Sequence, residues 1–260
     1  MLNHDKSIPA LKPIILIPAR LGSTRLPGKV LADIGGKPMI LHVLERALQA
    51  GLGPVAVACG EPEIARHVQA HGGRAVLTDP DLPSGSDRIF AALESLDPHN
   101  QYDVVINLQG DLPQIPPSYL QAVLSPLEHN YDIGTLVAPI TSMAEATAPS
   151  VVKCACAFSD QFDDQTEATR VIAPALYFSR NPVPSGEGPL WHHIGIYAYH
   201  RAALTRFVKL PPSPLEQREK LEQLRALEAG MRIGVVRVAQ APFGVDTPED
   251  LERARKISAL

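Results

Sequence analysis

The sequence predicts an α/β fold: a mostly parallel sheet with helices on both faces. Three observations carry this. Short apolar runs recur at Ile14–Ile17, Val55–Cys59, Ala75–Leu77 and Val104–Leu108. Segments with helical spacing fall between most of them. Strand and helix therefore alternate, the pattern of crossover connections in a parallel sheet.

Each element has its own local reason. Ile14–Ile17 reads as a buried strand expected to stop at Pro18. Met39, Ile40, Val43, Leu44, Ala47 and Leu48 recur at helix spacing, and Gly51 follows as a stop. Residues 61–71 read as a short helix with Pro62 in its first turn and Gly72-Gly73 at its end. Residues 86–96 read as another. The second half is richer in strands, at Ile133–Ile140, Val151–Phe158, Ala175–Phe178 and Ile194–Tyr199. Residues 181–189 carry Pro and Gly and read as a mobile loop. Residues 215–229, with Leu215, Leu221, Leu224 and Leu227, predict one helix, and Ile233–Val238 a late strand. Thr247-Pro248-Glu249-Asp250 is a capping box that opens a final helix.

The bulk properties narrow the function. A chain of 260 residues suffices for one large domain, or a domain with a subdomain. With 45% hydrophobic and 20% charged residues it has a globular composition. A formal net charge of −4 disfavours nonspecific nucleic-acid binding. No apolar run is long enough to span a bilayer, so no membrane insertion is expected. Residues 1–7 lack a signal-peptide core, and the expected location is cytoplasmic. Cys59, Cys154 and Cys156 cannot make a disulfide framework and read as small buried hydrophobes.

In a parallel sheet, ligands bind beyond the carboxyl ends of the strands. Two polar segments sit there: Pro18-Ala19-Arg20 and Gln109-Gly110-Asp111. The first opens a loop holding Arg20, Gly22, Arg25, Gly28 and Lys29. Arginine forks and a lysine ammonium beside flexible backbone suit a polyphosphate. A P-loop is excluded, because five residues separate Gly22 from Gly28 and Val30 follows Lys29. A dehydrogenase is excluded because no G-x-G-x-x-G follows a strand. On the residues alone Asp111 also reads as a turn aspartate, Asp246 as a charge at a helix start, and Lys37 as a surface cation. His193 and Tyr197 also read as core residues, and Glu222 and Gln223 as a solvated helix face. Alternation along a strand would put His193, Gly195 and Tyr197 on one face.

The stretch P-A-R-x-x-S-T-R-L-P-G-K at 18–29, followed by Gly35-Gly36-Lys37-Pro38-Met39, resembles the 3-deoxy-manno-octulosonate cytidylyltransferases (CMP-Kdo synthetases). The similarity continues through Asn107-Leu108-Gln109-Gly110-Asp111, Ala175-Leu176-Tyr177-Phe178-Ser179-Arg180, His193-Ile194-Gly195-Ile196-Tyr197, Ser213-Pro214-Leu215-Glu216 and Val245-Asp246-Thr247-Pro248-Glu249-Asp250-Leu251. These blocks run in order over nearly the whole chain.

The resemblance implies a Rossmann-like nucleotidyltransferase fold (glycosyltransferase-A-like) with a smaller strand-rich subdomain for sugar binding and dimerisation. It implies one catalytic domain over 1–260, with a nucleotide-binding part at about 12–130 and 231–260 and a sugar-binding part at about 131–230. The implied reaction joins CTP to Kdo, giving CMP-Kdo and pyrophosphate with Mg²⁺, for lipopolysaccharide biosynthesis. A cytidylyltransferase for another acidic sugar and a nonenzymatic nucleotide-sugar sensor are the alternatives. Implied catalytic residues are Arg20, Arg25, Lys29 and Asp111, with Asp111 and Asp246 on the metal. Pro18, Ala19, Arg20, Lys29, Ser84, Gly85 and Arg88 would bind nucleotide. Arg25, Gln109, His193, Tyr197, Glu222 and Gln223 would bind sugar. A homodimer is implied as well. The chain departs from the family's pattern at Leu112, Pro83 and Gly60.

Overall fold

The computed structural model describes residues 11–23, 25–158 and 172–258. The signal-peptide reading at 1–7 and Thr24 of the loop motif lie outside them.

The first half is parallel throughout. Strands β1 (Pro13–Ala19), β4 (Val55–Cys59), β5 (Ala75–Leu77) and β6 (Val104–Asn107) pair in the spatial order β5-β4-β1-β6. Before β4 the chain makes a two-stranded hairpin, β2 (Asp33–Ile34) with β3 (Lys37–Pro38). Its two turn residues, Gly35 and Gly36, have φ of 62° and 84°, a backbone that glycine adopts without strain.

Strand β1 does not stop at Pro18 as expected but continues to Ala19. The reason lies on its two edges. Pro18 still pairs in register with Ala58 of β4, while the β6 ladder ends at Leu16↔Asn107. The missing N–H of Pro18 falls where β6 has already turned away.

Helices α1 (Met39–Gln49) and α2 (Pro62–Ala70) cover one face of the sheet, joining Ile15, Ile17, Val57 and Ile106 in one core through Val43, Leu44, Ile64 and Val68. Helix α3 (Gly85–Leu96) covers the other face, placing Ile89 and Leu93 against Ile14, Leu16 and Val105. Helix α4 (Pro117–Ala122) adds Leu120 to the first core, and α5 (Met143–Thr147) is a short turn of helix at the cleft.

The second half joins the same sheet. Strand β7 (Ile133–Pro139) and the long β11 (Trp191–His200) are antiparallel to each other, and β11 pairs antiparallel with β6. Strand β12 (Ile233–Arg237) runs parallel to β7, and β9 (Ile172–Pro174) closes that edge. β8 (Lys153–Ala155) and β10 (Tyr177–Ser179) form a side ladder on β11. The result is a mixed ten-stranded sheet among the described residues. Three predicted strands differ most in their bounds: Val151–Phe158 shrinks to β8, Ala175–Phe178 shifts to β10, and Ile194–Tyr199 lengthens to β11.

Helix α6 (Arg201–Val208) follows β11 and packs Leu204 and Phe207 into the second core. The single helix predicted over residues 215–229 is broken. It forms α7 (Pro214–Glu219) and α8 (Leu224–Glu228), separated at Lys220 with φ of 56°. Two tertiary ties set the break. Glu216 is held by the Ser213 capping box and by Arg225, and the Glu219 carboxylate is held by Ser179 and the Arg180 backbone. Helix α9 (Pro248–Ser258) closes the chain against Ile34 and Met39. Its predicted cap is present, with Thr247 Oγ1 accepting from Asp250 N–H at 3.2 Å.

Candidate active site

The site gathers at the carboxyl ends of β1 and β6. Beyond β6, Asp111 O accepts from Val245 N–H at 2.9 Å. That backbone bond draws a segment from the far end of the chain against the β6 loop. It places Asp246 beside Asp111, a meeting the sequence spacing does not contain.

Between the two carboxylates stands one ammonium. Lys29 Nζ donates to Asp111 Oδ2 at 2.7 Å and to Asp246 Oδ1 at 2.9 Å. Burial disfavours this charge, but the two carboxylates outweigh it and hold the lysine above its usual range. The lysine is presented by a turn in which Gly28, at φ 68°, donates its N–H to Leu21 O. Arg25 Nη2 reaches Asp246 Oδ2 at 3.1 Å, but its side chain is 59% exposed; such a pair contributes roughly 0–1 kcal/mol.

Three clefts meet here. The first, about 310 Å³, is lined by Arg20, Arg25, Lys29, Ser84, Gln109 and Asp111. The second, about 1100 Å³, shares Arg25 and Asp111 and extends to His193, Gly195, Glu145 and Asp246. The third, about 560 Å³, shares Ser84 and is lined by Asp87, Glu216, Leu221 and Glu222. The predicted residues are thus spread over a connected series of clefts. Pro18, Ala19, Arg88, Tyr197 and Gln223 do not line any of these three.

The start of α3 borders two of the clefts. Ser84 caps the helix, accepting from Asp87 N–H at 3.1 Å. Gly85 is packed on Pro18, where an added Cβ would lie 3.3 Å from the proline ring. Arg88 is buried behind them. Its guanidinium donates to Thr78 Oγ1 at 2.6 Å, Asp79 O at 3.0 Å and Pro80 O at 3.1 Å. It therefore fixes the loop before α3.

Behind the opposite side of the cleft runs a ladder of rings on β11 and its neighbours, of which His193 lines the second cleft. Phe178 meets His193 edge-on at 4.7 Å, and His193, Tyr197, Tyr199 and Phe207 follow at centroid spacings of 5.5, 5.9 and 5.9 Å. Gln109 lies just beyond the end of β6, with Nε2 donating to Asn107 Oδ1 at 2.9 Å. His193 and Tyr197 lie on one face, as alternation predicts, although the register of β11 slips between Ile194 and Tyr197. Thr135 fills the slip. Its hydroxyl donates to Ile196 O at 2.8 Å and accepts from His193 Nε2–H at 3.0 Å. Burial pulls the His193 pKa down to about 3, so the ring is neutral. Sequence reasoning missed Thr135; the signal was one hydroxyl inside the apolar run Ile133-Gly134-Thr135-Leu136-Val137.

Glu222 is presented by the break between α7 and α8. Its Oε2 accepts from Ser86 Oγ at 3.0 Å, while its buried Oε1 has no hydrogen-bond partner. Burial pushes this carboxyl up. Gln223, next to it, is buried at the start of α8.

A divalent cation fits the donor set. Two carboxylates from distant segments already converge on one cationic atom. Mg²⁺ is commonly held by one or two carboxylates together with substrate phosphates. No group of three or more His, Cys, Asp or Glu able to hold a metal occurs among the described residues, so phosphate oxygens and water would complete the coordination.

Fold and site together define a nucleotidyltransferase. Residues 14–233 match the sequence profile described as "Cytidylyltransferase". A solved structure of CMP:2-keto-3-deoxy-manno-octonic acid synthetase complexed with CTP superposes with a TM-score of 0.83 at 43% identity, covering 95% of this chain and 98% of that one. The 3-deoxy-manno-octulosonate cytidylyltransferase of Paramagnetospirillum magneticum strain AMB-1 is 55% identical over 95% of this chain and 98% of its own. That of Rhodopseudomonas palustris strain BisB5 is 59% identical over 94% and 96%. The chain belongs to the 3-deoxy-manno-octulosonate cytidylyltransferase family.

Proposed function

We propose that this protein transfers CMP from CTP to the anomeric hydroxyl of 3-deoxy-D-manno-octulosonate, forming CMP-Kdo and pyrophosphate for lipopolysaccharide biosynthesis. The observation that carries the reading is the convergence of Asp111 and Asp246 on the Lys29 ammonium, at a sheet end lined by Arg20 and Arg25.

The step asks little covalent chemistry of the protein. The sugar oxygen bonds to the α-phosphorus as the bond to pyrophosphate breaks, and the hydroxyl proton is released. Positioning and charge stabilisation supply the rate. Asp111 and Asp246 would hold Mg²⁺, which supplies Lewis-acid polarisation of the phosphate when bound. Lys29 and Arg20 neutralise the triphosphate. Ser84 and Gly85 form the base-side wall, with Pro18 packed behind Gly85, Ala19 buried at the end of β1, and Arg88 holding the loop at Thr78–Pro80. Arg25 spans the two clefts and faces the sugar carboxylate. Gln109 and His193 form the sugar side, with Tyr197 packed behind His193, while Glu222 lines the third cleft beside the buried Gln223. The neutral His193, tied to Thr135, offers a hydrogen bond without a competing charge.

On this reading residues 12–130 and 231–260 serve the nucleotide and residues 131–230 the sugar and a homodimer contact, in the cytoplasm. Among the described residues no helix is long and apolar enough to cross a membrane.

Pyrophosphate release from CTP and Mg²⁺ tests the reading, with Kdo run beside 8-amino-Kdo and N-acetylneuraminate. Release with Kdo is expected. Release only with another sugar would keep the mechanism and change the substrate. CTP binding with no release from any of them would favour a sensor.

A further inference from the structure

Besides the ion pairs of Arg25 and Lys29 with Asp111 and Asp246, the cationic loop after β1 is tied down at Leu21. Leu21 N–H donates to Glu61 Oε2 at 3.0 Å, and Leu21 O accepts from Ser23 N–H at 2.8 Å and from Gly28 N–H at 3.0 Å. The carbonyl closes the loop on itself, and the N–H ties it to the body of the protein. Next to this tie, Gly60 N–H donates to Ala19 O at 2.9 Å. Arg20 lies between the two ties and lines the nucleotide cleft.

Glu61 occupies the N-cap position of α2 yet makes no side-chain cap bond to that helix. Its carboxylate serves the loop instead. It lines none of the three clefts described above, so it acts through Leu21 and not on substrate. Room for this arrangement comes from Gly60, where an added Cβ would lie 3.0 Å from Arg88 Nη1 and 3.5 Å from Arg20 Cβ.

We propose that Glu61 is a positioning residue for triphosphate recognition: by holding the Leu21 N–H it sets Arg20 and the turn leading to Lys29 against the nucleotide. The proposal rests on the nucleotidyl-transfer reading above. A hydrogen bond to a charged acceptor is stronger than a neutral one, and its loss would fall on ground-state binding of CTP.

Two variants separate this role from simple support of the fold. Glu61→Ser supplies a side chain favoured at a helix N-cap but is too short to reach Leu21. Glu61→Gln keeps an acceptor oxygen at full reach. Glu61→Ser is expected to raise the KM for CTP about tenfold, leaving the KM for the sugar and the Tm near wild type. Glu61→Gln should return the KM for CTP to within about threefold of wild type, a neutral acceptor replacing a charged one. An unchanged KM for CTP in Glu61→Ser would overturn the proposal, as would Glu61→Gln behaving no better than Glu61→Ser. If Glu61→Ser does not fold, Glu61→Asp shortens the reach and keeps the charge, and it should show the same selective rise. Calorimetric titration with CTP in the absence of sugar reads the loop directly, so a wrong sugar assignment would not be mistaken for a wrong role of Glu61.

Discussion

On the β6 side of the cleft, Lys29, Asp111, Asp246 and Arg25 balance one another's charge in partly open surroundings. On the β11 side, Phe178, His193, Tyr197, Tyr199 and Phe207 stack as a ladder that burial keeps uncharged. The two walls use opposite physics for different tasks. On the proposed function, these mutually paired charges would exchange partners when a polyphosphate and its cation bind. On the same reading the packed ladder would hold His193 in a fixed position for a sugar, and burial keeps its titratable rings uncharged.

The comparison breaks first at Asp111. Asp111→Asn removes a charge on which Lys29 depends, at a side chain that is 30% exposed. Turnover in a pyrophosphate-release assay should fall about 10³-fold, the scale of losing a preorganised electrostatic contact, with Tm little changed. Near-normal activity would remove Asp111 from the metal site.

On the other wall the largest effect should be on stability. Arg225 lies over the Phe207 ring at the end of the ladder, 5.2 Å from its centroid. It also holds Glu216 through two hydrogen bonds of 2.6 and 2.8 Å. Arg225→Ala strands a mostly buried carboxylate and should cost about 3 kcal/mol in urea unfolding. The KM for CTP should not change in the fraction that stays folded. A selective loss of CTP affinity would mean that the two walls are not separate.

A smaller effect is expected at His193. His193→Ala deletes a ring from the ladder and the partner of Thr135. The KM for sugar should rise roughly 10- to 30-fold, on the scale of one to two buried contacts. An unchanged KM for CTP is part of the expectation; equal shifts in both constants would contradict it.

A pH measurement sharpens the electrostatic contrast. The folded pKa of His193, about 3, lies below the unfolded value near 6.5. Above pH 6.5 both states are neutral at this residue, and it adds nothing to the pH dependence. As pH falls from 6.5 toward 3, the unfolded chain binds the proton and the folded chain does not. Stability should therefore drop by up to about 1.4 kcal/mol per pH unit through this group. Urea midpoints at pH 7 and pH 5 should differ less in His193→Gln than in wild type. Equal differences would show that His193 does not remain neutral in the fold.

Much of the scaffold was legible locally. The strands at 55–59 and 75–77 and the helix opening at 39 follow from apolar periodicity and from Gly and Pro punctuation, which report burial of a segment's own faces. The hairpin around Gly35 and Gly36 was not read from the sequence, because two-residue strands carry no periodicity. The helix over 215–229 was misread for the opposite reason. Its apolar spacing is good, but Glu219 is claimed by Ser179 and Arg180 and Glu216 by Arg225 of the following helix, and a left-handed Lys220 separates the two helices.

By itself the sequence determined which segments are buried, where the parallel half alternates, and which cations and carboxylates stand at strand ends. Those are properties of neighbouring residues, recorded as spacing. Only the tertiary structure decided that β11 enters the sheet antiparallel between β6 and β7, that Thr135 fills the slip beneath His193, and that Asp246 meets Asp111 around Lys29. These are pairings between distant segments, fixed by backbone hydrogen bonds and packing, which no local pattern encodes.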